Sequence, residues 1–149
     1  MKIAINGFGR IGKLVLRAFI ERNIKNIKIV AINELGSLDS SFHLMQYDTM
    51  HGKLPLKITK NKTGFKYLNN NIVFYSEKDP NNLPWKKLNV DVVLECSGVF
   101  ASKEKSQMHI NSGAKKVLIS APASNVDATI VQGVNNQILK KKHNVISNG

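Results

Sequence analysis

Three glycines, Gly7, Gly9 and Gly12, stand at the spacing G-x-G-x-x-G directly after the apolar run Met1-Lys2-Ile3-Ala4-Ile5. In a dinucleotide-binding turn the first glycine permits the tight strand-to-helix bend, the second lets backbone approach a pyrophosphate, and the third lets the helix pack closely on the strand. Peptide N–H groups left free at the start of that helix then face the phosphates. Glycines recur at this spacing in turns that bind nothing, and context separates the two cases. Glu34 lies 22 positions beyond Gly12, close to the interval for a carboxylate that accepts hydrogen bonds from the adenosine ribose hydroxyls. A carboxylate there repels a 2′-phosphate, so NAD is favoured over NADP.

Other reactive side chains are sparse. One cysteine, Cys96, permits neither an internal disulfide nor a cysteine metal cluster. It ends the apolar strand Val92-Val93-Leu94-Glu95 with no histidine close behind, so a small buried residue is the better account of it than a nucleophile. His43, His51, His109 and His143 show no metal spacing and no partnered nucleophile; structural or surface roles are expected for them.

The elements that must position the turn follow a simple grammar. Ile11, Leu14, Val15, Ala18 and Phe19 recur at helical spacing and predict an apolar stripe, with Lys13, Arg17, Glu21 and Arg22 mostly off it. A second strand is expected over Ile27 to Ile32, and a short helix over Asp39 to Tyr47. From Leu54 to Tyr75 the pairs Leu56/Ile58, Phe65/Tyr67 and Ile72/Phe74 alternate with polar residues around Asn61-Lys62-Thr63-Gly64 and Asn69-Asn70-Asn71, which predicts antiparallel hairpins. Asp79 to Pro84 reads as a loop. Further strands are expected over Asp91 to Cys96, Lys116 to Ser120, Ala128 to Val131 and Asn144 to Ser147, with a Ser102-capped helix to about Ser112 and a helical turn near Asn135 to Lys141. This alternation predicts an α/β fold, a doubly wound, mainly parallel, Rossmann-like sheet with a small antiparallel insertion.

A chain of 149 residues fits one domain, here taken as residues 1–149, and can bury a substantial core. With 42% hydrophobic and 21% charged residues it has the composition of an ordinary globular protein. Its apolar runs are far short of a membrane span, and the first strand begins at once without a signal-peptide layout, so the default expectation is a cytoplasmic location. The net charge of +12, from 22 Lys and Arg against 10 Asp and Glu, suggests a polyanion partner if taken alone. The lysines are scattered, however, with Lys140-Lys141-Lys142 the only run of three, and no aromatics interleave with it. A solvated surface with some steering of phosphorylated ligands is the reading that follows.

The segments Ala4-Ile5-Asn6-Gly7-Phe8-Gly9-Arg10-Ile11-Gly12, Tyr47-Asp48-Thr49-Met50-His51-Gly52, Glu95-Cys96-Ser97-Gly98-Val99-Phe100, Gly113-Ala114-Lys115-Lys116-Val117 and Ser147-Asn148 resemble, in register and over essentially the whole chain, the N-terminal half of the glyceraldehyde-3-phosphate dehydrogenase family and of its relative erythrose-4-phosphate dehydrogenase. Ala31-Ile32-Asn33-Glu34-Leu35 looks more like the erythrose-4-phosphate branch. The resemblance implies NAD-dependent oxidation of a phosphorylated aldose through a cysteine thiohemiacetal. It also places the nucleophile two residues beyond Gly149 and the activating histidine in the other half of the family's chain. No catalytic residue is therefore assigned here, and this chain by itself is expected to be inactive on its sugar phosphate.

By the same resemblance Asn6 braces the turn, with Gly7 and Gly9, and the amides of Arg10 and Ile11 hold the pyrophosphate. Glu34 binds the adenosine ribose, and Lys78 stands near the adenine where relatives have arginine. Ser97 and Gly98 lie at a carboxyl strand end, Phe100 packs beside the adenine or serves as a core aromatic, and Ser120 lies on the nicotinamide side. Asp48, Thr49 and His51 match a segment of loop and subunit architecture. The full-length family is expected to form tetramers in which neighbouring subunits help close the cofactor site, and a helix from the end of the chain packs on the cofactor domain. Without those supports, weaker NAD binding and some exposed apolar surface are expected. The alternative is a noncatalytic module that binds nucleic acid or protein and keeps a vestigial nucleotide cleft.

Overall fold

The computed structural model describes residues 1–55 and 57–149; Leu56, one member of the alternating pair above, lies outside the described residues. In chain order the elements are β1 (Lys2–Asn6), α1 (Arg10–Glu21), β2 (Lys28–Asn33), α2 (Leu38–Gln46), β3 (Tyr47–Asp48), β4 (Gly52–Lys53), β5 (Ile58–Asn61), β6 (Gly64–Tyr67), β7 (Asn70–Tyr75), α3 (Trp85–Leu88), β8 (Val92–Glu95), α4 (Lys103–Asn111), β9 (Lys116–Ile119), β10 (Ala128–Thr129) and β11 (Val145–Ser147). Among the described residues nine strands form one sheet in the order β10-β11-β9-β8-β1-β2-β7-β6-β5, and β3 and β4 form a second, two-stranded sheet. From β10 to β7 every pairing is parallel; β7-β6 and β6-β5 are antiparallel. The chain leaves β1 for β2 on one side and later returns to place β8 on the other. The carboxyl ends of β1 and β8 thus flank the switch point at which such sheets bind ligands.

The expected hairpins become the meander β5-β6-β7, the small antiparallel insertion, carried on the edge of the main sheet. The last turn is displaced from the Asn69-Asn70-Asn71 expectation: it falls at Leu68 and Asn69, with Leu68 at φ +52°. Asn70 is held inside β7 by pairing with Tyr67 and by a side-chain amide that donates to Ile29 O at 2.9 Å. The strand expected over Ala128 to Val131 is two residues long, and the expected helical turn is a 3-10 turn over Asn136–Ile138.

Helix α1 departs from its pattern. Its buried residues are Gly12, Leu16, Arg17 and Ile20, while Ile11 is exposed and Val15, Ala18 and Phe19 are half-buried. Arg17, expected on the solvent side, is 2% exposed. Its guanidinium donates through Nη1 to Met45 O at 3.1 Å and through Nη2 to His51 O at 3.2 Å, and Glu21 lies 3.6 Å from Nη2. One buried cation thus ties α1 to the end of α2 and to the β3-β4 hairpin. In that hairpin Asp48 Oδ1 accepts from the amides of Met50 and His51 and meets the His51 ring at 3.0 Å. Those contacts, led by the His51 amide, hold the Asp48 carboxyl down at about 2.

One core lies between the sheet and α1 and α2, where Ile5, Phe8, Leu16, Ile32, Met45 and Phe65 are buried together. On the opposite face Ala4, Trp85, Val90, Val93, Val117 and Val145 form a second core with α3 and α4. A third cluster, Ala128, Ile130 and Ile146 with Leu118, contains no helical residue. Next to α1 an open apolar groove of about 260 Å³ is lined by residues that include Ile3, Val15, Phe19, Ile27 and Leu94. The half of α1's apolar stripe that the sequence marks and the sheet does not cover forms one wall of it.

Candidate dinucleotide-binding site

The glycine turn follows β1 directly. Gly7 adopts φ +86°, and a Cβ built on it would stand 2.4 Å from Ser97 N and 2.5 Å from Ser97 Cα, so the turn presses on the Cys96-Ser97 peptide at the end of β8. Its amide donates to Asn33 O at 2.9 Å. A Cβ on Gly12 would stand 2.2 Å from Gly7 O, which is how α1 can start so close to the strand. A Cβ on Gly9 would meet nothing within 4 Å. Gly7 and Gly12 therefore serve packing, and Gly9 leaves backbone open toward the cleft. No side chain caps α1 and no acidic residue occupies its first turn. The first-turn amides, those of Arg10 and Ile11 among them, have no intrahelical acceptor, and the positive end of the helix suits an anion. This cradle fits a dinucleotide pyrophosphate.

Glu34 lies just past β2 and reaches across to the turn. Its Oε2 accepts the Phe8 amide at 2.6 Å and its Oε1 the Gly36 amide at 3.1 Å. The carboxylate is thereby fixed at the mouth of the turn.

Between them opens a cleft of about 320 Å³. Of the residues picked out from sequence, Asn6, Gly7, Gly9, Glu34, Lys78, Ser97 and Phe100 line it. Arg10, Ile11, Gly98 and Ser120 do not. Arg10 and Ile11 belong to the first turn of α1 above it, and Gly98, at φ +75°, lies in the turn after Ser97. Ser120 follows β9, one strand farther from β1, where its amide donates to Glu95 O at 3.0 Å. Asn33, Leu35, Glu77, Cys96 and Val99 complete the lining and were not picked out beforehand. Asn33 and Leu35 flank Glu34, Glu77 precedes Lys78, and Cys96 and Val99 stand beside Ser97, Gly98 and Phe100, so adjacency to an assigned residue is the signal available for each. A cavity of about 330 Å³ opens at the amino ends of the strands, around Ile24, Lys25, Lys28, Tyr67 and Asn69; that is the edge opposite to where ligands of parallel sheets bind.

The cleft floor is a buried polar chain. Asn6 Nδ2 donates to Glu95 Oε2 at 2.6 Å, and Asn6 Oδ1 accepts from Asn33 Nδ2 at 2.8 Å. Asn33 in turn binds the Glu77 backbone, accepting its amide and donating to its carbonyl, each at 2.9 Å. His109 Nε2 lies 3.0 Å from Glu95 Oε2, and His109 Nδ1 lies 3.0 Å from Trp85 Nε1. An indole N–H only donates, so His109 Nδ1 is the acceptor and Nε2 carries the proton toward Glu95. Phe100 packs edge-on to the His109 ring at 6.0 Å while also lining the cleft. Cys96 is half-buried rather than buried. Burial pushes its thiol above the usual range; a hydrogen bond from Ser120 partly offsets this and the Glu95 charge adds to it. Such a thiol is a poor nucleophile.

The family profile described as glyceraldehyde 3-phosphate dehydrogenase, NAD binding domain, matches residues 1–103. The chain is 50% identical over 150 residues to the chromosomal glyceraldehyde-3-phosphate dehydrogenase of Cupriavidus necator, covering 99% of this chain and 45% of that protein. It is similar to the glyceraldehyde-3-phosphate dehydrogenases of Pseudomonas aeruginosa, at 44% identity over 149 residues, and Thermotoga maritima, at 45% over 146. These alignments cover 99% and 98% of this chain and 45% and 44% of those proteins. The chain thus spans a little under half the length of the relatives it matches.

Proposed function

Since this chain belongs to the glyceraldehyde-3-phosphate dehydrogenase family, as its NAD-binding domain, we propose that it serves an oxidoreductase acting on a phosphorylated aldose, glyceraldehyde 3-phosphate or erythrose 4-phosphate. NAD, when bound, supplies the hydride acceptor. The chain's own residues bind and orient it. The Arg10 and Ile11 amides take the pyrophosphate over the open backbone at Gly9, and Glu34 takes the adenosine ribose. Lys78 and Phe100 stand at the adenine, Ser97 and Gly98 at the carboxyl end of β8, and Ser120 on the nicotinamide side.

The observation that carries this reading is the convergence of Glu34 on the glycine turn, with its carboxylate 2.6 Å from the Phe8 amide. An intact turn facing an intact carboxylate speaks against a binding module with a vestigial cleft. The catalytic cysteine and histidine are assigned to the half of the family chain that these residues do not include. The open groove beside α1 supports the seat of a helix from the end of the full-length chain, and homotetramer assembly completes the proposal.

Calorimetric titration with NAD and with NADP, repeated on Glu34→Ala, tests the reading. Saturable binding that prefers NAD and weakens in E34A is the expected result. A folded chain that binds neither nucleotide, or binds both equally, would overturn it.

A further inference from the structure

Glu95 is 1% exposed, and no lysine or arginine approaches it among the described residues. Its two oxygens receive four donors: Oε1 accepts the Ser97 amide at 2.8 Å and the Ser97 hydroxyl, and Oε2 accepts Asn6 Nδ2 at 2.6 Å and His109 Nε2 at 3.0 Å. A carboxylate has about four lone-pair sites, so each is filled. The arrangement is anchored from behind, because Trp85 fixes which ring nitrogen of His109 donates.

One consequence reaches the cleft. Ser97 lines it, and its hydroxyl proton is committed to Glu95 while the Val99 amide donates to Ser97 Oγ at 3.1 Å. Only acceptor capacity is left for a ligand. Asn6 is likewise oriented by Glu95 on one side and Asn33 on the other. We infer that Glu95 is a positioning residue of the cofactor cleft: it orients Asn6, and through the Ser97 hydroxyl it sets the floor to accept hydrogen bonds, matching the hydroxyl or amino donors of a nucleoside. The inference rests on the NAD reading above for its ligand, and on the hydrogen-bond chain alone for its geometry. In Glu95→Gln one oxygen becomes an NH₂ group facing donors. The Ser97 hydroxyl then turns to accept from it and presents its proton to the cleft, reversing the polarity there.

The test is a double-mutant cycle of Glu95→Gln and Ser97→Ala read by NAD calorimetry, with amide hydrogen exchange of the ligand-free chains. E95Q is expected to weaken NAD by about tenfold or more. S97A is expected to weaken it less, and E95Q/S97A should bind within about threefold of S97A, because Glu95 acts through the Ser97 hydroxyl that S97A removes. In ligand-free E95Q the Ser97 amide exchanges faster while those of Val93 and Leu94 keep their protection. Strictly multiplying effects, or E95Q binding NAD like the unaltered chain, would overturn the inference. If E95Q does not fold, Glu95→Asp, which keeps the acceptors and draws them back, takes its place with intermediate binding expected. Should the unaltered chain bind no NAD, the reading of function fails, and exchange alone decides this one: an unchanged Ser97 amide in E95Q overturns it.

Discussion

Replacing Gly9 with alanine should separate ligand approach from folding. Gly9 has φ −70°, which an L-residue adopts freely, and its added Cβ would meet nothing within 4 Å. A glycine-to-alanine change at a compatible position stabilises by about 0.4–1 kcal/mol through the unfolded chain. At roughly 2–4 °C per kcal/mol for a chain of this size, Tm should hold or rise by about 1–4 °C. The methyl group instead stands where a pyrophosphate must approach backbone, and losing a hydrogen bond to a charged group costs about 1.5–3 kcal/mol. NAD affinity should therefore fall by roughly ten- to 150-fold. Gly7→Ala supplies the contrast: at φ +86° the left-handed conformation costs about 1–2 kcal/mol, and the Ser97 backbone at 2.4 Å must also shift. Its Tm should drop by about 4 °C or more. Differential scanning and titration calorimetry on the same samples read both quantities. Gly9→Ala binding NAD within twofold of the unaltered chain, or Gly7→Ala melting with it, would refute the division of labour among the glycines.

Arg17→Lys replaces a fork that reaches two carbonyls by a single ammonium, so one of Met45 O and His51 O is left without its donor; thermal melting should show a loss of about 1–3 kcal/mol. Trp85→Phe removes the donor to the buried His109 Nδ1, and a comparable loss of stability is expected by denaturant titration, with the His109 ring resonances shifted in NMR spectra. Asp127 is held far below the usual carboxylate range, first by Lys103 at 2.7 Å and then by the Val145 and Asn144 amides. A carboxyl whose folded value is depressed stabilises above its ordinary value near 4 and loses that contribution as pH falls below it. Asp127→Asn should therefore melt lower at pH 7 and lose less further stability than the unaltered chain between pH 4 and pH 2. Equal acid sensitivity in the two proteins would count against that assignment.

What the sequence made legible was local. The glycine turn, the Ser102 cap on α4 and the carboxylate at Glu34 each follow from residues a few positions apart or from one strand-helix-strand unit, and the structure brings Glu34 to the turn as the spacing implies. What it hid was held by distant partners. Trp85 meets His109 across 24 positions, and Asn6 meets Glu95 across 89, so neither pairing leaves a periodic trace. Arg17 misled for a related reason: a charged residue off the apolar stripe reads as solvent-facing, and the two backbone carbonyls that accept from its guanidinium come from remote segments, with Glu21 one turn along the helix as its ion partner. Ser120 follows β9, one strand farther from β1 than β8, and that distance depends on strand order, which no local run of residues records.

Asn6, Asn33 and Glu95 are each the last residue of their strand, and the ladder sets Asn6 opposite both others. Interior parallel strands rich in Ile, Val and Ala can slide past one another with little change in apolar contact. Here a slip of one residue would bring Ile5 to a polar partner and leave an amide or a carboxylate buried without its complement, at a cost of about 1–3 kcal/mol for each stranded group. The row that floors the cleft thus also acts as a registration mark for assembly, a safeguard against misaligned intermediates in a topology whose long-range pairings form slowly.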